Sequence, residues 1–84
     1  MSIEIEWTKV SVTDLKKLDN FTGKRILKKL RFFSENSSLR NIKKLKGEEA
    51  YRLRVGEYRI LFDKINDSKI RIHKIGHRKN IYKN

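Results

Sequence analysis

The sequence has no cysteine among its 84 residues, which excludes disulfides, thiolate nucleophiles and cysteine-type zinc sites. It also has no long apolar run, so we expect neither a signal peptide nor a membrane-spanning segment. The absence of cysteine fits the reducing cytosol, and we expect a cytoplasmic protein. Repeats and low-complexity tracts are lacking too, and the chain is short, so it is expected to form one domain over residues 1–84.

Acidic residues are scarce: 10 Asp and Glu stand against 22 Lys and Arg, which gives a net charge of +12 and a pI of about 10.2. A surface with this excess attracts polyanions, and a domain this basic has the electrostatic footprint of a nucleic-acid binder. The alternatives are solvated lysines without a ligand, or a charge match with an acidic protein partner.

The N-terminal half predicts a strand followed by a short helix. Ile3, Ile5 and Trp7 alternate with polar residues, as in a strand with one buried face. Ser11, with Asp14 three residues later, predicts the start of a helix that ends near residue 19.

Thr22 is the predicted N-cap of a second, amphipathic helix. Its apolar stripe is expected to pack on a sheet and consists of Ile26, Leu27, Leu30 and Phe33. A solvated face is the simpler interpretation of the lysines between them, and phosphate binding is the alternative. The basic connector that follows, residues 41–47, supplies three candidate RNA-binding residues: Lys43, Lys44 and Lys46.

The C-terminal half predicts a hairpin and a last strand. Gly56 and Glu57 form a two-residue loop typical of a type II′ turn, and this loop fixes a register in which Arg54 faces Arg59. A last strand is expected over residues 69–77, with a bulge or a change of burial near Lys74 where the alternation breaks. The order β-α-α-β-β-β predicts an α+β fold with two N-terminal helices packed on a twisted antiparallel sheet of about four strands.

One face of the predicted hairpin carries three arginines, Arg52, Arg54 and Arg59. Like charges directly opposed across a strand pair are destabilising, so stability alone does not explain this pairing. An anionic ligand would, because guanidinium forks suit phosphate and can stabilise a phosphorane-like transition state. The alternative is that the arginines point into solvent and pair with nearby acids: Glu48, Glu49 or Asp63.

The only histidines are His73 and His77. A lone histidine in a strand is more often half-buried than catalytic. Without cysteine or clustered carboxylates these two do not predict a metal site, so we expect metal-independent chemistry and no cofactor.

Three segments resemble the RelE family of toxins from type II toxin–antitoxin systems: Leu45–Gly47, Tyr51–Phe62 and Ile75–Tyr82. The most specific motifs are the Tyr-Arg after the hairpin turn and the Gly-His-Arg with a tyrosine four residues beyond that arginine. The resemblance implies a RelE-like fold and a ribosome-dependent endoribonuclease, or mRNA interferase. Such a toxin cleaves mRNA in the A site, inhibits translation and is neutralised by a cognate RelB-like antitoxin.

The resemblance also implies residue roles. Arg59 and Arg78 match arginines that bind the scissile phosphate, and Tyr82 matches a C-terminal tyrosine that stacks on a base or assists proton transfer. Arg52 and Arg54 match two basic positions that are lysines in well-known members. Arginine does not accept a proton at physiological pH, so these two are cast as electrostatic clamps. The candidates for the general base are then His77, Tyr82 or ribosomal RNA, with His73 less favoured.

Two other functions compete with this one. A ParE-like member of the same superfamily poisons DNA gyrase by protein contact, and the basic residues of the hairpin disfavour that branch. A non-catalytic module would bind RNA with a steep salt dependence and yield no products. The charge of +12 on a small core also predicts an acidic, largely helical antitoxin that orders on binding.

Overall fold

The computed structural model describes residues 2–37 and 51–81, and the elements follow the predicted order. They are β1 (Glu4–Trp7), α1 (Lys9–Lys16), α2 (Asn20–Asn36), β2 (Tyr51–Val55), β3 (Tyr58–Asn66) and β4 (Lys69–His77). The strands form one sheet in the order β1-β4-β3-β2. The predicted α+β fold, two helices and a four-stranded sheet, is confirmed.

The sheet is mixed rather than wholly antiparallel. β2, β3 and β4 pair antiparallel, whereas β1 lies parallel to β4 with Ile5 opposite Ile70 and Trp7 opposite Ile72. A parallel neighbour requires a long crossover, and here both helices and the hairpin lie between the two strands in sequence. The alternation in β1 predicts a strand but carries no information about its neighbour.

The core lies between the helices and one face of the sheet. Ile60, Phe62 and Ile72 are almost fully buried on that face, where Phe62 packs against Phe33 of α2 at a ring-centroid distance of 5.7 Å. Ile26 and Leu30 of α2 belong to the same buried cluster. Leu15 and Leu18 pack against it from α1 and the residues that follow, so the helices cover this face and leave the arginine-bearing face outside.

The first helix begins at a different residue from the predicted one. Thr8 is its N-cap: the Thr8 hydroxyl accepts from the Ser11 amide at 3.1 Å, and the Ser11 hydroxyl accepts from the Thr8 amide at 2.9 Å. The Thr8 hydroxyl also contacts the Ile72 carbonyl oxygen at 2.9 Å, so a tertiary contact selects Thr8 over Ser11. The carboxylate of Asp14 accepts from the Ile75 amide at 3.0 Å and holds α1 on β4.

The second helix is capped by Asp19, not by Thr22 as predicted. The Asp19 carboxylate accepts from the Thr22 amide at 3.1 Å, which makes Thr22 the third residue of the helix. Hydrogen bonds from the Thr22 side chain and backbone lower the pKa of Asp19 below its ordinary value of 3.8.

The predicted bulge near Lys74 is confirmed. Leu61 pairs with Lys74 and the next residue, Phe62, pairs with Ile72, so His73 is the extra residue of β4. Because of this insertion Ile72 and Ile75, which are three residues apart, are both buried in the core.

Candidate functional site

The β2–β3 hairpin has the predicted register, with Arg54 directly opposite Arg59. Gly56 has φ of 57°, and no non-glycine residue among those described has positive φ. Only the first of the two loop residues therefore has positive φ, as in the predicted type II′ turn, whereas a type I′ turn would need positive φ at both. Nη1 of Arg59 donates to the carbonyl oxygens of Gly56 and Tyr58, both at 2.9 Å. The turn therefore fixes the position of the Arg59 guanidinium.

Four arginines converge on a pocket of about 360 Å³ on the outer face of the sheet: Arg52, Arg54, Arg59 and Arg78. The first three come from the hairpin, and Arg78 follows the end of β4. The Arg78 amide donates to the Glu57 carbonyl oxygen at 2.7 Å, which fastens that residue beside the hairpin turn. The structure thus brings together four of the predicted site residues from two separate stretches of the sequence.

The outer face of the sheet carries paired charges near β1 and a cluster of positive charges near the hairpin. At the β1 edge Glu4 and Glu6 pair with Lys69, and the Glu6 carboxylate accepts from Arg71. The hydrogen bond from Arg71 holds the pKa of Glu6 below its ordinary value of 4.5, helped by the positive charges of Arg71 and Lys69. This end of the face is close to neutral.

At the hairpin end positive charge dominates. Glu57 is an acidic residue at this end, and its carboxylate pairs with Nε of Arg78, which lines the arginine pocket. Asp63 is a predicted alternative partner for the hairpin arginines, but it lies opposite Arg71 on β4. Its carboxylate oxygen lies 2.5 Å from Nε2 of His73. The other two predicted alternatives, Glu48 and Glu49, lie outside the described residues.

His77 does not line the arginine pocket. It pairs across the sheet with Tyr58, and the two rings meet edge to face at 5.5 Å on the core side of the hairpin end. Its Nδ1 accepts a hydrogen bond from the Lys79 amide at 3.1 Å, which places the proton of the neutral ring on Nε2. A role for His77 as general base stays a prediction, and it requires a rearrangement of this ring.

The remaining predicted site residues lie outside the described residues: Tyr82, Lys43, Lys44 and Lys46. Their roles stay predictions. Within residues 2–37 and 51–81 no group of three or more His, Asp or Glu side chains is placed to hold a metal ion. No helix in that part of the chain is long and apolar enough to cross a membrane.

A second cationic cleft lies between α2 and β2, and it includes two of the helix lysines for which phosphate binding was the alternative interpretation. It has a volume of about 460 Å³ and is lined by Arg25, Lys28, Lys29, Phe32, Arg54, Val55 and Gly56. The helical residues lie at positions i, i+3, i+4 and i+7, so they share one face of α2. This spacing is visible in the sequence, but the contact between this face of α2 and the end of β2 is not.

Comparison with known proteins identifies the family. Residues 5–82 match the ParE toxin family of type II toxin–antitoxin systems, parDE. No curated protein matches the sequence.

Solved structures share the fold. A chain of the RelB–RelE antitoxin–toxin complex from Methanococcus jannaschii is 36% identical, with a TM-score of 0.68 over 92% of this chain and 94% of that one. A chain of the RelE–RelB complex from Pyrococcus horikoshii is 25% identical, with a TM-score of 0.71 over 95% and 99%. A free E. coli RelE toxin carrying two arginine-to-alanine substitutions is 20% identical, with a TM-score of 0.72 over 96% and 88%. The family match over almost the whole sequence and the identity to the M. jannaschii chain agree with the fold, and the chain belongs to the RelE/ParE superfamily of type II toxin–antitoxin toxins.

Proposed function

We propose that this toxin is a metal-independent endoribonuclease that cleaves mRNA in the ribosomal A site and inhibits translation in the cytoplasm. The observation that carries the proposal is the convergence of Arg52, Arg54, Arg59 and Arg78 on one pocket. Arg54 and Arg59 are like charges directly opposed across two strands, which costs stability, and guanidinium groups that converge on one pocket suit a phosphate.

The chemistry follows from the charge that develops at phosphorus. In the proposed reaction the 2′-oxygen of ribose attacks the adjacent phosphorus, the bond from phosphorus to the 5′-oxygen breaks, and a 2′,3′-cyclic phosphate and a 5′-hydroxyl result. The non-bridging oxygens gain negative charge in the transition state, and positioned guanidinium groups stabilise that charge. Arg59 suits this role because its guanidinium is already held by two backbone carbonyls and needs little reorganisation.

Two protons must also move: one leaves the 2′-hydroxyl and one reaches the 5′-oxygen. The arginines transfer neither, because guanidinium stays protonated at every physiological pH. Tyr82 and ribosomal RNA are proposed for these transfers. His77 stays a candidate general base only if its ring leaves the contact with Tyr58, because it does not line the arginine pocket.

An antitoxin partner is proposed on two grounds. The similar M. jannaschii and P. horikoshii chains come from antitoxin–toxin complexes. A net charge of +12 favours binding to an acidic partner. We propose that this partner is a RelB-like segment that becomes ordered when it binds the toxin. Copurification with the product of a neighbouring gene tests this point.

DNA gyrase is the second candidate target, because the matching family is described as ParE toxin. A gyrase poison acts by protein contact and does not need a cluster of phosphate-binding arginines. If expression induces DNA-damage signalling while messages remain intact, gyrase replaces mRNA as the target.

The test in cells is to map messenger ends after expression of the toxin. We expect new ends and growth arrest with the wild type, and loss of both with Arg59→Ala, Arg78→Ala or Tyr82→Ala. Arg71→Ala is the matched control, because Arg71 lies on the same face but pairs with Glu6 and does not line the pocket. Growth arrest that persists in all three site variants would show that the proposed site is wrong, and arrest without new ends would refute cleavage.

A further inference from the structure

The cleft between α2 and β2, called here the helix cleft, is built from cations around one aromatic ring. Arg25, Lys28, Lys29 and Arg54 supply four positive charges, and Phe32 supplies the ring. No acidic side chain among the described residues lines it. Phe32 is 63% exposed, so its ring is accessible to a ligand.

Arg25 connects the helix cleft to the hairpin turn. The guanidinium of Arg25 lies over Gly56, where a Cβ atom would come within 3.3 Å of Nη2. The same guanidinium lies 5.9 Å from the ring centre of Phe21, within range of a cation–π contact. Arg25 therefore bridges α2 and the turn that positions the arginine pocket.

The helix cleft and the arginine pocket share one residue. Arg54 lines both. Because β2 is at the edge of the described sheet, no neighbouring strand separates the outer face from the cleft. A polyanion that spans both pockets would contact Arg54 where they meet.

We propose that the helix cleft is a second RNA subsite that binds nucleotides flanking the scissile phosphate. Arg25, Lys28 and Lys29 contact the phosphates, and one base stacks on Phe32. Cationic grooves with aromatic platforms are how proteins hold single-stranded nucleic acid without reading its sequence. The inference rests on the proposed function and extends it from the cleaved bond to the strand on one side of it.

An acidic segment of an antitoxin could use the same charges. We favour RNA because the cleft and the arginine pocket share Arg54, so one strand could occupy both. The cleft also pairs several cations with a single aromatic ring, which suits phosphates and one stacked base. The test therefore compares the two occupants on the same variants.

The experiment measures binding of the full-length toxin to 2′-O-methyl oligouridylates of about three and about eight nucleotides, which span one pocket or both. The 2′-O-methyl group removes the nucleophile and keeps the RNA intact. We expect the longer oligonucleotide to bind at least about fivefold more tightly. Phe32→Leu should reduce this gain and Phe32→Tyr should keep it, because leucine retains apolar area without a face for stacking.

A charge-matched pair of double variants tests the phosphate contacts. Lys28→Ala/Lys29→Ala should lower the slope of log affinity against log salt by about 1.4 for the longer oligonucleotide. Lys16→Ala/Lys17→Ala removes the same charge from exposed positions outside the cleft and should leave the slope unchanged. Equal effects of the two double variants, or an unchanged length gain in Phe32→Leu, would overturn the proposal.

The antitoxin comparison uses the same proteins. If Phe32→Leu and Lys28→Ala/Lys29→Ala weaken antitoxin binding and leave both oligonucleotide affinities unchanged, the cleft is a protein-docking site and the RNA proposal is wrong. The test is separable from cleavage: loss of the length gain in an active nuclease refutes only the subsite. A retained gain in a protein that cuts no mRNA refutes only the proposed function.

Discussion

Replacement of Arg54 by glutamine is expected to stabilise the fold and weaken phosphate binding at the same time. Arg54 lies directly opposite Arg59, whose guanidinium is held at the turn by two backbone carbonyls and does not move away from the repulsion. Removing a like-charge pair across two strands raises the free energy of unfolding by up to about 1 kcal/mol. Because Arg59 is held in place, we expect a gain of roughly 0.5–1 kcal/mol for this pair. For a domain of this size that corresponds to a rise in Tm of about 2–8 °C.

The assay is thermal unfolding followed by circular dichroism at low and high salt. The gain should shrink at high salt, since screening already weakens the repulsion in the wild type. Arg31→Gln is the control, because it removes the same unit charge from an exposed position on α2 outside both clefts. Affinity for a short oligonucleotide should fall at least about tenfold in Arg54→Gln, the cost of losing one charged hydrogen-bond donor.

Two results would refute this reasoning. A lower Tm for Arg54→Gln would show that the arginine stabilises the hairpin and that the cluster needs no ligand to explain it. Equal gains in Arg54→Gln and Arg31→Gln would mean that the overall charge of the protein, not the opposed pair, causes the repulsion.

Three further changes test the parts of the fold that hold the site. Thr8→Ala should cost about 1–2 kcal/mol in urea unfolding, because it removes the helix cap and the contact with β4. Gly56→Ala should cost about 1–3 kcal/mol, because its φ of 57° is strained for alanine and its Cβ would press on Arg25. Glu6→Gln removes a carboxylate whose pKa is lowered from 4.5 by the hydrogen bond from Arg71. The wild type should therefore be more stable than the variant above pH 4.5, and this advantage should vanish as the pH falls through the lowered pKa.

The hairpin was predictable because its determinants are local. A glycine-first loop between alternating segments sets the register, and the register alone places Arg52, Arg54 and Arg59 on one face. The bulge near Lys74 was predictable for the same reason, since a break in alternation is visible in the sequence.

The helix caps and the position of β1 were not predictable from local pattern. Threonine, serine and aspartate are all good caps, and the contact of Thr8 with Ile72 on β4 decides among the candidates at the start of α1. The parallel pairing of β1 with β4 likewise depends on the packing of the whole core.

The site illustrates both cases. Arg78 joins the hairpin arginines through a backbone hydrogen bond to Glu57 that no sequence pattern shows. His77, its neighbour in sequence, contacts Tyr58 instead, as strand alternation in β4 would have indicated.

Binding of the scissile phosphate by the arginine pocket can be tested on purified ribosomes that carry a defined message. The wild type and Arg71→Lys should generate new mRNA ends at the A-site codon at similar rates. Arg59→Lys keeps the charge but loses the guanidinium fork, and it should cleave at least about tenfold more slowly. Cleavage by Arg59→Lys at the wild-type rate, or no new ends with the wild type, would contradict the account.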